Sequence, residues 1–314
     1  MANIAIYSST LHDSGDLIIY FSLDGKRVIA QLGVDGDIKM SRTIPSQGLE
    51  LFAYLPNKGN DLLCAFHACD TYVMTYPWQG RGKKTPLTPT LGPDGLGSVV
   101  FVRHIDGFIY IARCRGGFDR FDGTSVERIQ KGLRRVPQPS SSILSDVVQG
   151  WGGDPCTLME KGVFRFSGGE WQHVAKVTRG TTRALAFDST TQRLCLVGQS
   201  ISFISEDGQE ERFDIGDADY WKAVVHQGTL FVSSYSDKLH WVDADGSCVP
   251  MKLDDCYILN NNPGLHSASN GLWIATTECV YFLPNKHIES AKKGDANVFQ
   301  RIWDGSGYSL PTGR

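Results

Sequence analysis

Trp221–Leu253 reads WKAVVH-QG-TLFVSSY-SD-KLHWVD-ADG-SCVPMKL, four short runs rich in Val, Leu and aromatic residues with two- or three-residue turns between them. Runs of this length and composition, bounded by Gly and Asp, form consecutive antiparallel hairpins. The glycines suit the turns because they take positive φ without a Cβ penalty. One such unit buries little by itself. Its meaning comes from its repetition.

The same order of runs recurs on both sides. VVFVRH, FIYIAR, FDRFDG and SVERIQ follow one another with Asp106-Gly107 and Asp122-Gly123 at the turns. CTLMEK and VFRF precede Gly168-Gly169 and EWQHVAKV, and RALAF, RLCLVG, SFIS and ERFDI surround Asp207-Gly208. The last unit holds LHSAS, LWIATT, VYFLP and VFQRIW. The first two are looser: IAIYSS, DLIIYFS, RVIAQLG and IKMSRT, then LELFAYL, DLLCAFH, YVMTYP and a Pro-rich strand near Thr85–Thr88. Gly15, Gly59, Gly107, Gly153, Thr190-Thr191, Gly228 and Gly271 mark the first turn of each unit, about 43 residues apart.

Seven four-stranded units of that period predict an all-β, seven-bladed β-propeller of antiparallel blades, one domain over 1–314. The expected blades are 2–44, 49–89, 97–132, 143–178, 183–216, 220–254 and 264–305. Each is complete within its own stretch of chain, so the ring should close by noncovalent contact between the first and last blades. Asn285–Lys293 is the one helical segment expected, inserted before the last strand.

Composition narrows the class. The chain has 314 residues, 41% hydrophobic content and a net charge of −3, which argues against binding nucleic acid by bulk electrostatics. No run is long and apolar enough for a membrane span. MANIAIYSST reads as an innermost strand rather than a secretory leader, so a cytoplasmic location is expected. The eight cysteines show no recurrent spacing, and reduced thiols are expected, with Cys64, Cys195 and Cys279 within strand runs.

Charge is uneven along the chain. Residues 206–219 carry seven acids against Arg212, and residues 113–135 carry seven bases against three acids. Solvated loops would account for this; opposite fields on two sides of the ring would steer a charged partner.

Catalytic motifs are missing from the sequence: no nucleophile elbow, phosphate loop or dinucleotide fingerprint occurs. His67, Cys69 and Asp70, near Cys64, are metal-ligand types, but alternate strand residues face opposite ways and no second pair supports them. No metal and no cofactor is expected. The innermost strands offer Glu50, Arg103, His104, Asp146, Arg183, His226 and His266, which could form a hydrolytic or lyase site or line a wet channel.

NGLWIATT at Asn270–Thr277, followed by VYFL, resembles the repeats of two-component regulator propellers, as do GGFDRFD at Gly116–Asp122 and GVFRFS at Gly162–Ser167. Ala275 and Glu278-Cys279 depart from that pattern. The resemblance implies the fold and transfers no function. Ser205–Gly208 is similar to one Asp-box turn of sialidase-type propellers, without the trailing Trp.

Three functional classes remain: a protein-binding propeller, a channel hydrolase or lyase, and a lectin. Loops that differ from blade to blade argue against repeated sugar sites and favour one specific surface on a rigid scaffold. The face carrying the blade-to-blade connections and the turns between second and third strands gathers Arg115, Lys131, Arg134, Arg135, Asp214, Asp217, Asp219, Tyr220, Asp237, Lys238, Tyr257 and Glu278. The aromatic residues there would serve as interface anchors. The expectation is a non-enzymatic monomer that binds another protein, specifically a bacterial immunity protein covering a basic toxin or effector. Neither nucleic acid nor membrane is an expected partner.

Overall fold

The computed structural model describes residues 4–44, 51–56, 61–66, 72–87, 97–133, 144–159, 162–177, 182–215, 219–234, 239–243, 245–253, 264–306 and 308. Blade one comprises β1 (Ile4–Leu11), β2 (Leu17–Leu23), β3 (Lys26–Leu32) and β4 (Ile38–Ile44). Blade two has β5 (Leu51–Leu55), β6 (Leu62–Phe66), β7 (Tyr72–Pro77) and β8 (Lys83–Pro86), and blade three β9 (Val99–Ile105), β10 (Phe108–Arg113), β11 (Phe118–Phe121) and β12 (Val126–Arg128). Blade four holds β13 (Leu144–Gln149), β14 (Pro155–Met159), β15 (Gly162–Ser167) and β16 (Glu170–Lys176). Blade five holds β17 (Thr182–Asp188), β18 (Arg193–Gly198), β19 (Ser200–Ile204) and β20 (Glu210–Asp214). Blade six runs β21 (Tyr220–His226), β22 (Thr229–Ser234), β23 (Leu239–Val242) and β24 (Cys248–Pro250). Blade seven runs β25 (Leu265–Ala268), β26 (Gly271–Ala275), β27 (Val280–Pro284) and β28 (Gln300–Trp303).

Every sheet pairs its four strands in chain order, so each blade is a meander and none borrows a strand. The first strands of successive blades pack on one another around the axis, β25 against β1 included. The short helix α1 (Ile288–Lys292) lies between β27 and β28, where a helical segment was expected.

Strand periodicity explains the core. In β18, Leu194 and Leu196 pack toward blade four, while Cys195 and Val197 pack toward blade six. Likewise in β2, Leu17, Ile19 and Phe21 face blade seven, and Ile18 and Tyr20 face blade two. Alternate side chains leave opposite faces of a strand, so a sheet between two neighbours is apolar on both. That is why the middle strands read as continuous hydrophobic runs. The buried residues fall into seven clusters, each spanning one blade boundary.

Turn chemistry follows the sequence. Asp24-Gly25 and Asp106-Gly107 both take positive φ, 47° and 78° in the first and 46° and 76° in the second. That is the tight hairpin twist which matches right-handed strands. Cys64 and Cys195 are buried in strands as expected, whereas Cys279 sits in the turn before β27. Cys64, Cys114, Cys156, Cys195, Cys248 and Cys279 form no disulfide among the described residues.

Blade one also carries a buried carboxylate. Asp16 is 5% exposed and accepts from Lys39 Nζ at 2.8 and 3.0 Å, Gln31 Nε2 at 2.7 Å and Ser14 Oγ at 2.7 Å. Burial pushes its pKa up, but the bonds from Lys39, Ser14 and Gln31 together outweigh it and hold the carboxyl below the ordinary value. A depressed folded-state pKa contributes stability above the unfolded value, near 4, and loses it as pH falls through the folded one. Asp16→Asn should therefore lower stability by about 1–3 kcal/mol at neutral pH. The gap to the parent should shrink below pH 4; urea titrations at pH 7 and pH 3 check both halves.

Candidate functional site

The first-strand hairpins of all seven blades converge on one open cavity of about 620 Å³ along the axis. Its wall includes Ser9, His12, Asp13, Ser14, Arg103, His104, Asp146, Val148, Val225, His266 and Ser269. The lining extends to the side of the first hairpins, at His12–Gly15 and Ser269. The surface expected to bind a partner is on the other side, where β4-to-β5 type connections run.

Most of the polar residues on and beside the inner strands are tied across blade boundaries. Arg103 Nη2 donates to Asp146 Oδ2 at 2.9 Å, joining blades three and four. His266 Nε2 lies 2.8 Å from Ser9 Oγ and joins seven to one. His226 Nε2 donates to Asn285 Oδ1 at 2.8 Å, which leaves Nδ1 to accept from the Ser267 hydroxyl, also at 2.8 Å, joining six and seven. His12 Nε2 reaches Asp61 at 3.4 Å, and Arg183 reaches Asp219 at 3.6 Å while lying 4.4 Å over the Trp221 ring. His104 is the exception, since its buried Nε2 has no hydrogen-bond partner.

Burial holds His104 and His226 below the ordinary histidine value, against Asp13 and Asp106 in the first and the Asn285 bond in the second. Both are neutral at physiological pH. For His226 the neutral ring fits its bonds, since Nδ1 accepts from Ser267 while Nε2 donates to Asn285.

Irregularities in the inner strands decide which groups reach this region. The register of β13 shifts between Leu144 and Val147, that of β17 between Thr182 and Ala184, and that of β21 between Tyr220 and Lys222. Asp146, Arg183 and Trp221 lie within these shifts. Bulges re-aim side chains, and here they place a carboxylate, a guanidinium and an indole at the blade boundaries. Nothing in the local pattern of LSDVVQ or TRALAF signals a bulge. Lys222, the residue after the third bulge, was missing from the residues singled out in the sequence.

The loop-face candidates fare unevenly. Lys131 is exposed and pairs with Glu170 at 2.7 Å; Asp214 and Glu278 are exposed, and Arg115 is half-buried. Chain order puts Arg115 and Glu278 in turns between second and third strands, and Lys131 and Asp219 in connections between blades. Tyr220 is no interface anchor: it is 3% exposed, and its ring stands edge-on to His240 in the core between blades five and six. Arg134, Arg135, Asp217, Asp237, Lys238 and Tyr257 lie outside the described residues, as do Glu50, His67, Cys69 and Asp70.

Among the described residues, neither charged run forms one patch. Glu206 and Asp207 stand at the turn before β20 and Asp214 at its far end, so the acidic run crosses the rim of blade five from one face to the other. Glu206 pairs with Arg165 and Glu211 with Arg193, each at 2.7 Å. In the basic run, Arg113 is wholly buried against Asp119, and Arg120 is paired with Glu127. Among the described residues, no three His, Cys, Asp or Glu side chains gather as a metal site. No helix among them is long and apolar enough to cross a membrane.

These features define a seven-bladed β-propeller whose inner strands are tied to one another by polar contacts across the blade boundaries. No family model matches the chain, and no curated protein matches it in sequence. Solved structures do resemble it in fold. A catalytically inactive virginiamycin B lyase from Staphylococcus aureus, determined with quinupristin, shares 15% identity over 87% of this chain and 92% of its own, at a TM-score of 0.66. The WD40 β-propeller domain of Doa1 shares 14% over 88% and 91%, at 0.62. YCF48 bound to the D1 peptide shares 10% over 88% and 91%, at 0.61.

Proposed function

We propose that this protein is a non-enzymatic, protein-binding propeller, and within that class a bacterial immunity protein that acts in the cytoplasm as a monomer and covers a cognate toxin. The observation that supports it most is the engagement of the inner-strand polar residues. A hydrolase or lyase needs its acid, base or nucleophile aimed at a common point that substrate can occupy. Arg103, Asp146, Arg183, His226 and His266 are instead bonded to neighbouring blades, which is what a rigid scaffold asks of them. Doa1 and YCF48 give fold precedents, the second holding a peptide.

The surface on this reading is the face of blade connections, with Asp214 and Glu278 exposed on it and a basic partner opposite. Asp214→Lys with Glu278→Lys should slow association several-fold at low salt, the difference fading above about 0.15 M, where the screening length falls to about 8 Å. Stopped-flow binding against the isolated partner measures this; equal rates at low salt would reject charge steering. The test of the function itself is genetic and biochemical. Expression should protect cells from the product of a neighbouring toxin gene, and the two proteins should purify as one stoichiometric complex. Failure of both, with turnover of an ester or glycan substrate lost in Ser9→Ala, would move the function into the channel.

A further inference from the structure

The cavity wall divides by what its polar side chains already do. Ser9, His12, Arg103, Asp146, His266 and Ser267 are bonded to other side chains. Thr10, Asp13, His104, Gln149 and Ser269 also line the cavity, and their side chains bond to no described residue. These five share one level of the ring. Thr10 and His104 are the last residues but one of β1 and β9, and Gln149 ends β13. Asp13 and Ser269 stand in the turns that follow β1 and β25. Blades seven, one, three and four therefore present unused hydrogen-bonding groups at the first-hairpin end of the cavity.

Blades five and six supply the opposite wall. The matching positions of β17 and β21 hold Phe187 and Val225, both half-buried and both lining the cavity. In a ring of seven, these blades lie across the axis from blades one to three. Phe187 stands edge-on to the Trp151 ring at 5.8 Å, a contact that fixes its position. One side of the recess is polar and the other apolar.

The charge left over is negative. Arg103 and Asp146 neutralise each other at 2.9 Å, and burial keeps the His104 ring neutral against the pull of the Asp13 charge. Asp13 is then the one formal charge on the wall without a counter-ion among the described residues. The turns between third and fourth strands lie on this same face. Asp35, Asp37, Asp122, Asp207 and Asp245 stand exposed in them, with Arg81 and the lysines of the blade-seven insertion opposing. A field of that sign attracts cations.

We propose that this end of the cavity binds a small organic cation with an apolar side, an aryl- or alkylamine. Asp13 pairs with the ammonium, the Gln149 amide oxygen and the hydroxyls of Thr10 and Ser269 accept its remaining protons, and Phe187 and Val225 cover the apolar part. A cavity of about 620 Å³ is of the size that takes small molecules. The site is separate from the protein-binding surface on the opposite face, so either can fail alone.

Phenethylamine serves as the probe, titrated into the full chain at pH 7 and constant ionic strength and followed by amide shifts in TROSY spectra. Saturable shifts are expected at Asp13, His104, Gln149 and Phe187, with a dissociation constant of about 1 mM, usual for so small a ligand. Ethylamine keeps the charge without the ring, and phenylacetate keeps the ring with the opposite charge. Each should bind about 10-fold more weakly or worse. Asp13→Asn should weaken phenethylamine about 10-fold, and Asp13→Glu about threefold or less, since it keeps the charge. Asp13 is exposed at a turn, so both variants keep the fold. No saturable shifts at these residues, either control binding as well as phenethylamine, or unchanged binding by Asp13→Asn would each overturn the proposal.

Discussion

Asp119→Ala is expected to destabilise the protein by about 3–5 kcal/mol, a large share of the margin of an ordinary domain. Arg113 and Asp119 are both 0% exposed. The guanidinium donates through Nε at 3.1 Å and Nη2 at 2.9 Å to one carboxylate oxygen, and through Nη1 to the Gly97 carbonyl at 3.2 Å. Removing the carboxylate leaves a buried charge with a single carbonyl for company, and desolvation is then uncompensated. Replacing both partners removes the charge as well, so Arg113→Met with Asp119→Leu should recover most of the loss. Urea unfolding of the single and double variants decides it; a single variant within 1 kcal/mol of the parent would mean that water reaches Arg113.

Trp273→Ala is expected to cost about 3–5 kcal/mol, and to loosen one place before others. Trp273 is wholly buried in the cluster where blades one and seven meet, beside Ile6, Leu17, Phe21 and Trp303. Its ring packs on Phe282 at 4.8 Å, and its Nε1 donates to the Gly15 carbonyl at 2.9 Å across the boundary. No strand crosses that boundary, so side-chain packing, the His266–Ser9 bond and the Ile6 N–H to Thr277 carbonyl bond at 2.8 Å hold the ring shut. Hydrogen exchange should show β1 amides, Ile6 foremost, opening at lower free energy than those of β17. Trp171→Ala removes a similar side chain between blades three and four and should leave β1 at its parental protection relative to β17. Equal protection of β1 and β17 in Trp273→Ala would show that the closing boundary is no weaker than the rest.

These expectations rest on features of very different legibility. The blade pattern could be read because hairpins are local: Asp106-Gly107 joins strands that touch within a few residues, and the turn geometry belongs to that dipeptide. The insertion of α1 could be read for the same reason. The burial of Arg113 could not, since a basic residue at the end of FIYIAR looks like a solvated strand end until Asp119 is seen beneath it. Tyr220 misled in the opposite sense, because an aromatic residue at a strand start serves a core or an interface equally well. Charge runs misled most of all: Glu206–Asp214 is continuous in sequence, yet a strand carries it across the whole height of a blade.

By itself the sequence determined the number of blades, their meander order, the continuous apolar runs and the absence of a shared closing strand. All of these follow from periodicity and turn residues over fewer than about ten positions. Only the tertiary structure decided which polar residues meet at the axis. Arg103 and Asp146 lie 43 residues apart, and Ser9 and His266 lie 257 apart. Such pairs depend on the closure of seven sheets and on bulges that turn Asp146 and the start of β21 inward. A one-residue register shift redirects every side chain near it. It leaves no mark on the alternation of a six-residue strand, so the chemistry of the channel becomes visible only once the ring is closed.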